Sequence, residues 1–244
     1  MNAPATPRKY LITGGSSGIG RACAKFLTAE GAKVWITGTR DATVGEAIDS
    51  GDAIGGSVCD IVDRNSVDRT FANAAGQLGG LDGTFLNAGI DGGGKAAEID
   101  PVQFRHVLDV NVLGTFHCAQ AAYRHLGRPG VIVVNASVNA LRPEVHFADY
   151  NSSKAAVASL AQSLAIEWSA ERLSVVAVSP GYFPSNMTAP YMNDPTVRAE
   201  LLARIPAGRF GEPEEIGATV SFLLSGSAPY LAGANITIAG ASNV

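Results

Sequence analysis

An apolar, β-branched stretch ends at Thr13, an amphipathic stretch opens near Ile19, and between them runs Thr13-Gly14-Gly15-Ser16-Ser17-Gly18-Ile19-Gly20. A strand that turns this tightly into a helix commits the chain to a βα unit. Such units build parallel sheets with right-handed crossovers. Glycine supplies the dihedrals of the turn and lets a ligand approach the backbone. The helix that follows directs its positive end and its free N–H groups at the same spot, which suits a pyrophosphate. Gly20 allows that helix to pack closely on the sheet. The turn lacks a Gly-Lys-Ser/Thr ending, which argues against a P-loop nucleotidase. Read alone, it remains open to being a glycine-rich turn with no ligand.

The rest of the chain repeats the β-α order. The pattern predicts strands at Tyr10–Thr13, Val34–Thr37, Ser57–Cys59, Gly83–Leu86, Val131–Asn135, Ser174–Val178 and Asn235–Ile238. Helices are expected near Ile19–Glu30, Ser66–Gln77, Pro101–Leu126, Tyr150–Ala170 and Pro213–Leu224. Strands such as Val131-Ile132-Val133-Val134 are apolar on both faces, as in a sheet covered on both sides. The expected fold is therefore α/β: a doubly wound, Rossmann-type, mainly parallel sheet of about seven strands with helices on both faces. No linker or repeat divides residues 1–244, which read as one domain. A substrate loop is expected near 182–208. Within it, the irregular connection from Pro180 to about Pro195 holds four prolines.

Charge narrows the function. Charged residues make up 16% of 244, the net charge is −4, and there is no basic block, so a nucleic-acid partner is disfavoured. Cys23, Cys59 and Cys118 are odd in number and far apart, giving neither a disulfide framework nor metal-ligand spacing; they read as buried thiols of a reducing, cytoplasmic setting. The N-terminus has no apolar signal-peptide core. From Ile216 to Val244 no residue is charged, but Gly226, Pro229, Gly233 and Gly240 interrupt the stretch. A membrane span needs about 20 predominantly apolar residues. A buried helix, a loop and a last strand fit better.

Tyr150 and Lys154 stand four residues apart, so on a helix they share a face. Taken alone, they read as a surface pair. Ser137, at the end of the fifth predicted strand, changes that balance, because parallel sheets bind ligands at the carboxyl ends of their strands. A lysine ammonium beside a tyrosine favours the phenolate and would draw its pKa down from about 10.

The glycine turn, Asn87-Ala88-Gly89, Asn111 in Asn-Val-Leu-Gly, Ser137, Tyr150-Asn-Ser-Ser-Lys154, Pro180-Gly181 and the run Gly208–Ile216 occur in this order across nearly the whole chain. Together they resemble the short-chain dehydrogenase/reductase family. The resemblance implies a nicotinamide cofactor, with Tyr150 giving a proton to a carbonyl oxygen or taking it from an alcohol. Lys154 would lower the tyrosine pKa and bind the nicotinamide ribose, Ser137 would polarise the carbonyl, and Asn111 would hold a water of a proton relay. Asn111 could also, at the same time, be a buried amide satisfying a kinked helix. Gly14, Ser16, Ser17, Gly18, Ile19 and Gly20 would cradle the pyrophosphate. Asp60 and Ile61 would contact adenine, and Asn87, Ala88 and Gly89 would line the adenosine side. Pro180, Gly181, Phe183 and Ser185 would close over the nicotinamide end. Ser185 stands where the family commonly has threonine, and Leu86 where it often has a first asparagine.

Dinucleotide choice is read at the end of the second strand. NAD needs an acid there for the ribose 2′-hydroxyl; this chain has Gly38, then Thr39 and Arg40. Arg40 could pair with a 2′-phosphate, so NADP is favoured, with NAD as the alternative kept alive by Asp41 and by the absence of a basic residue at Ser17.

The substrate pocket is expected between Asp91–Lys95, Val138–His146 and the segment from Tyr182 to about Met192. Ser137, Asn139, His146, Tyr150, Tyr182 and Met187 are its candidate contacts, with Asp91, Glu144 and Asn186 as further polar groups. The mix suits a small polar ketone or polyol, or a 3-oxoacyl thioester. Residues Phe183–Met192 are expected to form a mobile lid, Pro184 and Pro190 excluding regular structure. A catalytically silent nucleotide-binding sensor or scaffold of the same fold is the alternative to an enzyme; an epimerase or dehydratase fits less well. Low charge and the apolar C-terminal stretch suggest buried subunit contacts. The resemblance implies a tetramer pairing the helices of Pro101–Leu126 and Tyr150–Ala170.

Overall fold

The computed structural model describes residues 7–185 and 187–244. Strands β1 (Lys9–Thr13), β2 (Lys33–Gly38), β3 (Gly55–Val58), β4 (Leu81–Leu86), β5 (Leu126–Asn135), β6 (Leu173–Pro180) and β7 (Asn235–Ile238) form one sheet. Its order is β3-β2-β1-β4-β5-β6-β7, with every neighbouring pair parallel. The winding reverses between β1 and β4, and a ligand crevice opens at such a switch point. The helices are α1 (Gly18–Ala29), α2 (Asp41–Asp49), α3 (Arg64–Leu78), α4 (Pro101–Leu108), α5 (Thr115–His125), α6 (Ala148–Trp168), α7 (Ala189–Met192), α8 (Pro195–Ala203) and α9 (Pro213–Leu224).

Strand alternation sends the apolar side chains to two cores. Leu11, Ile132, Val134, Val175 and Ala177 pack with Phe71 of α3, Cys118 and Ala122 of α5, and Val157 and Leu164 of α6. Tyr10, Ile12, Val131, Val133, Val176 and Val178 pack with Cys23 and Leu27 of α1, Val44 of α2, and Ile216 and Val220 of α9. Full burial of each large aliphatic side chain contributes roughly 1.5–3 kcal/mol, so both layers are needed to hold the sheet. The uncharged C-terminal stretch divides as expected into α9, a turn and β7. Among the described residues no helix is long and apolar enough to cross a membrane.

Several expectations change. The third strand ends at Val58, so Asp60 and Ile61 lie just beyond it. The helix expected over Pro101–Leu126 is three pieces: α4, a π-helical turn at Asp109–Gly114, and α5, with Leu126 already in β5. The π turn carries Asn111 inward. The connection after Pro180 is also not irregular throughout. Pro190 and Pro195 each occupy the first turn of a helix, α7 and α8, where a missing N–H costs nothing.

Candidate active site

The glycine turn is braced by β4. Thr13 Oγ1 accepts from the N–H groups of Asn87 (3.0 Å) and Ala88 (3.1 Å), and Asn87 Nδ2 donates to the carbonyls of Thr13 (3.2 Å) and Gly14 (3.1 Å). Gly14 has φ +64°, and a Cβ there would stand 2.9 Å from Ala88 Cα. Ser17 is the N-cap of α1 but its side chain makes no capping hydrogen bond. Main-chain N–H groups at this helix start are thus left for an anion, and the turn fits a pyrophosphate. Ser185 stands across from it: a Cβ on Gly18 would lie 3.4 Å from Ser185 Cβ.

From this turn a cleft of about 660 Å³ runs along the carboxyl ends of the strands. It is lined by Gly14, Ser16, Ser17, Gly18, Ile19, Thr39, Asp60, Ile61, Asn87, Ala88 and Gly89. Ser137, Tyr150, Lys154, Pro180, Gly181, Phe183, Ser185 and Met187 also line it. Gly20 is not in the wall. A Cβ there would overlap the Gly14 carbonyl oxygen, so it serves the close packing of α1. Arg40 is also outside the wall, exposed at the N-cap of α2. Gly38 has a local reason: any Cβ would overlap Ser16 Oγ, which leaves no room for an acidic side chain at the ribose position.

At the far end α6 presents Tyr150 and Lys154 one turn apart. Lys154 is 4% exposed; its Nζ donates to the Asn135 carbonyl (2.9 Å) and lies 5.6 Å from the centre of the Tyr150 ring. Ser137 follows β5 by two residues and is buried at the cleft wall, its Oγ accepting from Asn139 N–H (3.1 Å). Burial pushes the Tyr150 phenol up to about 12, with Asp91 and Glu144 adding to the rise and a hydrogen bond from Ser137 opposing it. This reverses the downward shift expected from Lys154. The same desolvation lowers Lys154 to about 8, weakening the ammonium on which that shift depended.

Asn111 is 1% exposed and its amide is occupied: Oδ1 accepts from Ile90 N–H (2.8 Å), and Nδ2 donates to Ile90 O (2.8 Å) and Ser153 Oγ (2.9 Å). Both amide protons are engaged, so the side chain fills the structural role, while Oδ1 keeps a lone pair that could accept from a relay water.

The expected substrate contacts separate. Met187 joins Ser137 and Tyr150 at the cleft, while Asn139, His146 and Tyr182 do not line it. Asn139 Nδ2 is turned to Asn151 Oδ1 (3.0 Å), and the Tyr182 hydroxyl donates to Glu144, which Arg204 also reaches at 3.5 Å. His146 is exposed, with φ 70°. Asn186 lies outside the described residues. Phe183 is 3% exposed, packed between the core and the cleft wall. Sequence reasoning missed Thr188, which lines the cleft and whose Oγ1 donates to Phe183 O (2.7 Å) and accepts from Ser185 N–H (2.9 Å). A serine three residues before a threonine was the available signal.

A protein-family model described as enoyl-(acyl carrier protein) reductase matches residues 14–241. The chain is 34% identical to 3beta-hydroxysteroid dehydrogenase 1 of Eggerthella lenta over 96% of this chain and 92% of that one. The structure of an actinorhodin polyketide ketoreductase variant with NADPH superposes with a TM-score of 0.90 at 26% identity, covering 97% of each chain. That of a 3-ketoacyl-(acyl-carrier-protein) reductase from Brucella melitensis, complexed with NADH, gives 0.89 at 27% identity, covering 97% of this chain and 98% of that one.

Proposed function

The chain belongs to the short-chain dehydrogenase/reductase family, and on that premise we propose that it interconverts a carbonyl and a secondary alcohol using a nicotinamide dinucleotide. The observation that carries this reading is the meeting of Ser137, Tyr150 and Lys154 at one end of a cleft whose other end is the braced glycine turn. The bound dinucleotide supplies or accepts the hydride. Residues Gly14 and Ser16–Ile19 hold its pyrophosphate, Asp60 and Ile61 its adenine side, and Lys154 its nicotinamide ribose. Ser137 binds and polarises the carbonyl oxygen. Tyr150, whose phenol carries its proton at neutral pH even at the ordinary value near 10 and is held more firmly protonated by burial, stands ready to donate to that oxygen.

NADP is the favoured form and NAD the alternative. Ser16 blocks an acid at Gly38, and exposed Arg40 is free to swing toward a 2′-phosphate. The substrate is a small polar ketone or polyol, or a 3-oxoacyl thioester. All residues 1–244 serve one dinucleotide-binding and catalytic unit. The assembly is a tetramer, supported by Val102, Leu113 and Ile166, which stay exposed on the pieces of 101–126 and on α6. Three free buried thiols suit a cytoplasmic setting.

A panel of small polar ketones and 3-oxoacyl thioesters with NADPH and with NADH, and of polyols with the oxidised cofactors, followed by nicotinamide absorbance, tests the reading. Turnover of at least one, faster with NADPH, is expected; none with either cofactor would defeat it. Arg40→Ala should weaken NADPH binding about fivefold, the equivalent of about 1 kcal/mol, and leave NADH unchanged.

A further inference from the structure

Asp149 stands one residue before Tyr150 in the first turn of α6 and is 0% exposed. Its recorded partners are all N–H donors. Oδ1 accepts from the Tyr150 main-chain N–H (2.8 Å); Oδ2 accepts from Gly93 N–H (3.1 Å) and Gln103 Nε2 (3.0 Å). Gln103 Nε2 also donates to Gly93 O (2.9 Å), and Gly94 N–H to His146 O (2.7 Å). Three segments thus meet on one carboxylate: the loop 91–94, α4, and the end of α6 that carries Tyr150. The loop is wrapped tightly round it. A Cβ on Gly92 would overlap Oδ2, and Gly93 and Gly94 have φ +122° and +136°. Burial alone would raise the carboxyl pKa, but the donors outweigh it and hold Asp149 below the ordinary carboxylate range. A buried acid with no part in the proton path is costly unless such bonds compensate it.

We infer that Asp149 is a positioning residue: it fastens the glycine loop 91–94, the continuation of the cleft wall at Ile90, to the turn that presents Tyr150. The inference rests on the reading of Tyr150 as the proton-carrying group. An asparagine in its place would direct an NH₂ group at a donor and leave an N–H unpaired.

The test compares parent, Asp149→Asn and Gly92→Ala as full chains. Gly92→Ala displaces the carboxylate without removing its charge, and serves if Asp149→Asn does not fold. Amide hydrogen exchange at residues 92–94 is expected to speed up about tenfold in either variant, as one buried hydrogen bond is lost. With a carbonyl probe that the parent turns over, kcat should fall about tenfold. The KM for NADPH should stay within about twofold, because the glycine turn is untouched. Exchange equal to the parent's in folded variants overturns the inference. Faster exchange with parental kcat also overturns it, leaving only a structural tie. If the parent turns over no probe, the functional reading fails separately, and exchange alone decides whether Asp149 fastens the loop.

Discussion

Tyr150 and Lys154 are shifted in opposite directions by one cause, the removal of water from both. A neutral phenol at about 12 is a secure proton donor, and an amine at about 8 keeps most of its charge at neutral pH. The lysine has a stability consequence. Its folded pKa lies below the ordinary value near 10.4, so between pH 8 and 10 the folded state binds fewer protons and gains stability as pH rises. Tyr150, raised, loses stability with rising pH only above about 10. Lys154→Met should therefore lose ground to the parent by roughly 2 kcal/mol between pH 7 and 10, read from paired denaturation curves. A constant difference across that range would contradict the buried ammonium. The spacing of Tyr150 and Lys154 and the position of Ser137 were legible in the sequence, because a helix turn and a strand end are local. The direction of the tyrosine shift was not, since it depends on burial by distant segments.

At the scale of elements, legibility followed apolar periodicity. β1, the glycine turn and α1 are plain, since Leu11, Ile12, Cys23, Ala24 and Leu27 mark their buried faces. α2 escaped because only Val44 and Ala47 are buried along it, with Gly45 between them. α7 and α8 bury no residue, so no stripe announces them. The π turn follows from Asn111 reaching Ile90, a contact 21 residues distant that no local pattern encodes. The segment after Pro180 shows what composition leaves open. Phe183 looked like spare apolar surface on a lid, yet it packs in the core against Gly211. Phe183→Ala should cost about 3–5 kcal/mol in denaturant titrations, as for other buried aromatics. A loss under about 1 kcal/mol would return Phe183 to the lid.

At the scale of the molecule, the sheet places the proposed cofactor cradle at its switch point and the proposed proton donor on α6, and both depend on the two cores being filled. The exposed Val102, Leu113 and Ile166 are the surface such a monomer leaves uncovered. Light scattering at micromolar concentration should give about four times 25.1 kDa; a 25.1 kDa species would refute the assembly. The central claim is that the two ends of the cleft work together, one holding the dinucleotide and the other moving the proton. Tyr150→Phe separates them, because it removes only the phenolic oxygen and keeps the ring. With a carbonyl substrate found in the panel, the variant should bind NADPH as the parent does while turnover falls at least about 100-fold. Turnover close to the parent's would show that Tyr150 is not the proton carrier.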